Sequence, residues 1–268
     1  MQSIIEISWL ELSLFGFILL IPLGINYFLK LALTQEIIIS ALRMAIQLVL
    51  VGLYLQYLFT LNSLWVNVLW LLLMALIGTS SIIGKSHLPK KPLFIPIFSG
   101  LLAGLIPLLF IILIGLLSPS PIYSAQYLIP LAGMLLGNSL SGNIVALQRL
   151  FSAFEDRKVE YEGLLALGAS PRQAAFPFIQ AAVQQALAPS LASMSTTGLV
   201  TLPGMMTGQI LAGVDPIIAI KYQLVILIAI FVMIILSVTT ALLLTTRKLI
   251  NPSGLVLVSN NKHNKTVK

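Results

Sequence analysis

The segment at residues 162–179 reads EGLLALGASPRQAAFPFI and interrupts an otherwise apolar chain. Gly168 separates a short helix of Leu and Ala from a second short helix. For that second helix Ser170 is a suitable N-cap, and Pro171 stands at the first helical position, where its missing N–H is not needed. No residue in the segment is equipped for catalysis. The pattern predicts a water-exposed helix–glycine–helix elbow between membrane spans, shaped to rest against a partner protein.

The composition indicates a membrane protein. Of the 268 residues, 58% are hydrophobic and only 9% are charged, and the mean hydropathy is +1.03, whereas soluble domains carry about 25% charged residues. The net charge of +7 comes from basic residues scattered over short loops and a tail, which argues against a nucleic-acid groove. The chain has no cysteine, which excludes disulfides and thiolate chemistry. We expect a polytopic protein that binds lipid and no nucleic acid.

Seven stretches are apolar over roughly the 20 residues that a membrane helix needs. They lie at residues 10–29, 37–59, 65–83, 93–117, 123–147, 187–212 and 217–245. The predicted fold is an all-α transmembrane helix bundle of about seven spans. It forms a single domain over residues 1–250, followed by a polar, basic tail at 251–268. The elbow falls in a loop at about 149–186, between spans five and six.

The positions of Lys and Arg predict the orientation of the spans. Apart from Arg43 and Lys221, every basic residue falls in the loops after spans one, three and five or after span seven. Because positive charge stays on the cytoplasmic side, the amino terminus is predicted outside and the carboxyl terminus inside. The elbow is then cytoplasmic.

Two spans carry polar side chains suited to a passage. In span two, Arg43 and Gln47 lie four residues apart and share a helix face. A charge within a span usually faces the bundle interior or a water-filled cavity, although an arginine near the end of a span can also extend to the lipid headgroups. In span five, Asn138 lies in a run of small and amide residues, which either packs helices together or lines the passage.

The stretch at residues 193–213, SMSTTGLVTLPGMMTGQILAG, is too polar and too rich in glycine for a lipid-facing helix. Pro203 and Gly204 predict a break, and non-helical backbone at membrane depth occurs where it is buried in protein or faces a cavity. Transporters place such broken helices at their substrate sites. We therefore predict a translocation pathway here. Its predicted residues are Arg43, Gln47, Asn138, Thr197, Thr201, Pro203, Gly204, Met205, Met206 and Gln209.

Two methionines follow the break. The thioethers of Met205 and Met206 are candidate ligands for a soft or borderline metal ion. The commoner role of methionine is adaptable packing, and both interpretations stay open. We predict no catalytic residue and no cofactor bound by the chain itself.

The elbow resembles the E-A-A-x-x-L-G-A-S coupling loop of ABC-transporter permease subunits. The matching residues are Glu162, Leu167, Gly168, Ala169 and Ser170. Gly163 and Leu164 depart from the pattern, because they replace its two alanines. In that family the loop docks on an ATP-binding subunit and transmits its movements to the membrane helices. The alternative is an ordinary amphipathic connection between two spans.

Four segments together resemble the FetB/YbbM family of iron-export permeases. They are RMAIQL at residues 43–48, the run at 133–138, the elbow, and GLVTLPGMMTGQILAG at 198–213. Plant relatives of that family are linked to aluminium tolerance, and one to nucleotide-sugar transport. The resemblance implies a permease of an ATP-driven exporter of iron or another metal, in the bacterial inner (plasma) membrane. It also implies a homodimer and a separate ATP-binding subunit, which carries the ATP and Mg²⁺.

Three alternative functions are open at this point. The cargo could be an organic solute such as a nucleotide sugar, and Arg43 suits an anion better than a metal cation. The chain could be a secondary transporter or channel that needs no ATPase, which the coupling loop argues against. It could also be a membrane scaffold or receptor, for which the polar broken helix has no use.

Overall fold

The computed structural model describes residues 7–251, apart from the side chain of Lys90, and this part of the chain is helical almost throughout. In chain order the helices are α1 Trp9–Gly16, α2 Leu20–Phe28, α3 Thr34–Leu61, α4 Leu64–Ser86, α5 Lys90–Phe110, α6 Ala125–Asp156, α7 Lys158–Ala166, α8 Pro171–Thr196, α9 Gly204–Leu211 and α10 Pro216–Leu249. A 3-10 turn joins α1 to α2, and a π-helical segment, Ile111–Leu117, extends α5. The predicted tail lies outside the described residues, except for Asn251.

Six segments within the described residues are long and apolar enough to cross a membrane. They are Trp9–Phe28, Thr34–Leu61, Leu64–Ser86, Lys91–Leu117, Ala125–Asp156 and Pro216–Leu249. These segments correspond to six of the seven predicted spans. The all-helical, polytopic class is therefore confirmed, whereas the orientation of the spans stays a prediction.

The predicted sixth span, at residues 187–212, is not one helix and is not among the six segments. The elbow's second helix is also not short, because α8 runs for 26 residues to Thr196. This sequence is rich in alanine and contains no glycine, and the helix continues through Pro177 and Pro189. The chain then leaves the helical conformation from 197 to 203, around Gly198 and Pro203, before α9 begins.

The described chain forms two compact units. The first holds residues 7–61 together with 211–213. In it, Asn26 secures the turn between α2 and α3. Its amide donates to the Thr34 hydroxyl at 2.6 Å, and its carbonyl accepts from the Leu33 N–H at 2.9 Å. These bonds satisfy a buried amide and hold a turn in which Lys30 and Ala32 have positive φ.

The second unit holds residues 62–210 and 214–251. Helix α10 packs along α5, and α6 packs against α4, α8 and α10. Close approach depends on glycine. A Cβ at Gly100 would lie 2.7 Å from the Ser237 carbonyl oxygen, and one at Gly142 would lie 2.8 Å from a methyl group of Ile234. Small residues at such contacts let membrane helices come together closely.

A buried amide joins α6 to α10 in the same unit. The Asn143 side chain donates at 2.9 Å both to the Ser237 hydroxyl and to the carbonyl of Ser139. Interhelical hydrogen bonds of this kind stabilise membrane bundles by about 0.6 kcal/mol on average. The amide and glycine run that suggested a passage therefore packs helices together at Asn143 and Gly142.

Candidate functional site

The elbow between α7 and α8 rests on a cluster of aromatic rings. Phe154 of α6 and Phe178 of α8 stack with their centroids 5.1 Å apart. Tyr161 of α7 packs edge-on against them, at 5.3 Å and 6.0 Å. All three side chains are buried, and burial raises the pKa of the Tyr161 hydroxyl. We call these three residues the aromatic cluster. It ties the short helix α7 to two long helices.

Arg157 reinforces this junction. Its guanidinium lies 5.0 Å from the centroid of the Phe178 ring, a cation–π arrangement. The same group pairs with Glu160, with Nε 2.7 Å from a carboxylate oxygen. One arginine therefore links the start of α7 both to its own first turn and to α8.

The outer surface of the elbow is exposed and partly apolar. Leu167 is 87% exposed at the end of α7, and Val159 is 84% exposed near its start. Glu162 is also exposed, 3.6 Å from the Lys158 ammonium, and an exposed pair of this kind adds little stability. Val159 was not predicted, although an apolar residue in the polar first turn of α7 could have indicated it.

The turn itself has the predicted local structure. Gly168 has a φ of +91°. Ser170 caps α8: its hydroxyl accepts from the Gln173 N–H at 3.4 Å, while the Gln173 side chain accepts from the Ser170 N–H at 2.9 Å. Pro171 occupies the first helical position. Of the predicted coupling residues, only Ala169 is partly buried against the core.

The predicted helix break is present and stabilised by its own hydrogen bonds. The Gly198 N–H donates to the Thr201 carbonyl at 2.9 Å, with φ of +91° at Gly198. The Thr197 hydroxyl donates back to the Ser193 carbonyl at 2.8 Å. After the break, the Met206 N–H donates to the side chain of buried Gln223, at 3.3 Å. This last bond ties α9 to α10.

A cavity of about 530 Å³ lies beside α9, and we call it the α9 cavity. Its lining residues are Ile112, Leu116, Leu117, Gln126, Tyr127, Pro130, Leu131, Met134, Met205, Gln209, Val214, Ile218, Lys221, Tyr222, Val225 and Ile226. Two predicted pathway residues, Met205 and Gln209, are therefore brought together here. The lining residues do not include five other predicted pathway residues: Met206, Thr197, Thr201, Pro203 and Gly204.

The three other predicted pathway residues are Asn138, Arg43 and Gln47. Asn138 lines a separate cavity of about 250 Å³ between α6, α8 and α10, and its amide donates to the Met134 carbonyl at 2.8 Å. Arg43 and Gln47 are exposed on α3, in the first unit. The sequence interpretation missed Tyr127 and Tyr222 of the α9 cavity, because nothing local distinguishes them from other tyrosines near a span end.

Residues 9–250 match the model of a family described as "Uncharacterised protein family (UPF0014)". The chain belongs to the UPF0014 family. It is 33% identical to UPF0014 membrane protein slr1647 of Synechocystis, over 96% of this chain and 99% of that one. With six candidate spans and relatives named membrane proteins, this UPF0014 protein is a multi-pass membrane protein.

Two further relatives have more specific names. "Probable iron export permease protein FetB" of Escherichia coli is 32% identical over 94% of this chain and 96% of its own length. "Protein ALUMINUM SENSITIVE 3" of Arabidopsis thaliana is 33% identical over 78% of this chain and 76% of its own. No solved structure matches significantly. The permease name indicates transport rather than catalysis.

Proposed function

We propose that this UPF0014 protein is the membrane-spanning subunit of an ATP-driven exporter of iron or another metal. A separate ATP-binding subunit, which holds ATP and Mg²⁺, docks on the α7–α8 elbow. The exporter works in the bacterial inner membrane with two copies of this chain. The cargo passes beside the helix break and the α9 cavity.

The exposed leucine on an anchored elbow carries this proposal. Leu167 and Val159 both present apolar side chains to the surroundings, outside the six apolar segments, and a docked partner would cover this surface. The aromatic cluster beneath it would convey a push on α7 directly to α6 and α8, because closely packed rings transmit displacement instead of absorbing it. An ordinary loop needs neither feature.

The cargo proposal rests on the relative named as a probable iron export permease, which aligns with 94% of this chain. The α9 cavity supports the proposed location of the passage, since a broken helix beside a cavity is how transporters build substrate sites.

Co-purification tests the docking site. We expect the chain to retain its ATP-binding partner in detergent, and Leu167→Glu to release it, because a carboxylate cannot be desolvated in an apolar contact. Leu167→Met keeps an apolar side chain of similar size and should retain the partner. Retention by Leu167→Glu would contradict this site. A chain that transports with no ATP-binding partner would be a secondary transporter or channel.

Cellular iron content tests the cargo. Expression of the chain with its partner should lower total cell iron, measured by mass spectrometry, and Leu167→Glu should abolish the effect. Met205→Leu and Met206→Leu form a matched pair, because Met205 lines the α9 cavity and Met206 does not. Loss of export with Met205→Leu alone would support a thioether contact. Unchanged iron with the native chain would remove iron as the cargo.

A further inference from the structure

The α9 cavity has no ligand set for a bare iron ion. Iron is bound in proteins by imidazole, carboxylate and thiolate groups, whereas thioethers suit softer ions. Among the described residues, no group of three or more His, Asp or Glu is placed to hold a metal, and the chain lacks cysteine. The cavity offers the thioethers of Met134 and Met205 instead. Its donor chemistry and the expected metal cargo therefore disagree.

The charge of the cavity favours an anion. Lys221 is its one charged lining residue, and no acidic side chain lines it. Lys221 is exposed, and its ammonium group, beside a mostly apolar wall, attracts an anion and repels a cation.

The walls favour an aromatic body. Tyr127 and Tyr222 contribute rings, and Met134 and Met205 contribute sulfur atoms, which make favourable contacts with aromatic groups. The volume of about 530 Å³ lies within the range of about 300–1,000 Å³ that is common for small-molecule sites. A single aromatic ring with polar substituents fits this space.

Gln209 favours a ligand that carries a hydrogen-bond donor. Its side-chain carbonyl oxygen is buried and has no hydrogen-bond partner in the described part of the chain. A buried acceptor without a donor is unfavourable. A ligand hydroxyl that enters the cavity would relieve this cost.

We propose that the α9 cavity binds an aromatic hydroxy acid, whose carboxylate faces Lys221 and whose hydroxyl donates to Gln209. An exported metal ion would then cross as a complex with such an anion. The inference rests on the proposed transport function, since it specifies the chemistry of the cargo. The binding that it predicts needs neither ATP nor the partner subunit.

Calorimetric titration of the purified full-length chain in detergent tests this proposal. The probes are 2,3-dihydroxybenzoate, benzoate, ferrous ion alone and phosphatidylglycerol. We expect 2,3-dihydroxybenzoate to bind, and Lys221→Gln to weaken it about tenfold, as loss of a charged hydrogen bond would do. Gln209→Leu should also weaken it about tenfold while leaving benzoate nearly unchanged, because benzoate has no hydroxyl to donate.

Two variants serve as controls. Lys248→Gln removes the same charge near the other end of α10, and Gln185→Leu removes an exposed amide on α8; neither should change binding. Binding of 2,3-dihydroxybenzoate that survives both cavity variants would overturn the proposal. Saturable binding of ferrous ion alone, or of phosphatidylglycerol and not 2,3-dihydroxybenzoate, would also overturn it. If 2,3-dihydroxybenzoate does not bind but the partner still docks, the cavity proposal is overturned and the proposed function stands. If 2,3-dihydroxybenzoate binds but no partner docks, the proposed function is overturned and the cavity proposal stands.

Discussion

Gly168 stands between α7 and α8 with a φ of +91°, a conformation that costs other residues about 1–2 kcal/mol. An ideal Cβ built there meets no atom within 4 Å. The conformation of the backbone, and not lack of space, is therefore what requires glycine at this position.

Gly168→Val should consequently distort the elbow without unfolding the membrane helices. We expect ATP hydrolysis by the partner subunit to continue while transport falls severalfold, with normal amounts of the chain in the membrane. Gly163→Ala is the matched control, because Gly163 is helical and open to substitution. Hydrolysis and transport measured together in reconstituted vesicles check this. Unchanged coupling in Gly168→Val would remove the elbow's assigned role.

At the scale of elements, the aromatic cluster joins three helices that local sequence leaves independent. Phe178→Ala should lower the free energy of unfolding by about 3–5 kcal/mol, as removal of a buried ring does, and should loosen α7. Phe176→Ala, two residues away and exposed, should have little effect. Heating in detergent followed by size-exclusion chromatography measures the stability. Equal losses for both variants would contradict a specific role for the cluster.

The contact of α5 with α10 gives a second prediction at this scale. Gly100→Ala places a methyl group 2.7 Å from a backbone oxygen, so the helices must separate, at a cost of about 1–3 kcal/mol. Gly137→Ala meets no atom within 4 Å and should be neutral or slightly stabilising, because alanine favours helix. Thermal unfolding of the two variants compares them. A Gly100→Ala chain as stable as the native one would show that the contact is looser than described.

At the scale of the whole molecule, the number of spans depends on whether the chain crosses the membrane between α8 and α10. Six spans would return the carboxyl terminus to the side of the amino terminus, whereas a crossing by the broken segment would not. The chain has no cysteine, so single cysteines can be placed and labelled with an impermeant maleimide.

We expect Ser170→Cys to react only from the cytoplasmic side, and Ser118→Cys and Asp215→Cys only from outside. All three positions are exposed. The reason is that basic residues predict the cytoplasmic face, and a crossing between Ser170 and Asp215 puts them on opposite sides. Labelling of Ser170→Cys and Asp215→Cys from the cytoplasmic side alike would mean that the broken segment does not cross the membrane.

The sequence by itself determined the membrane class, six of the spans, the turn at Gly168, the Ser170 cap and the break before Gly204. Each of these depends on a few neighbouring residues, through hydropathy, capping or backbone preference, and so can be read locally. It placed the end of α8 poorly: the elbow pattern predicts a short second helix, whereas the alanine-rich α8 continues through its two interior prolines to Thr196.

Only the tertiary structure decided which side chains meet. It brought Met205 and Gln209 together with Lys221 of α10 and Tyr127 of α6, and it placed Asn138 in a different cavity. It also assembled the aromatic cluster from three helices. These contacts depend on how helices distant in sequence pack, through close approach at residues such as Gly100 and Gly142, and no local pattern specifies that packing.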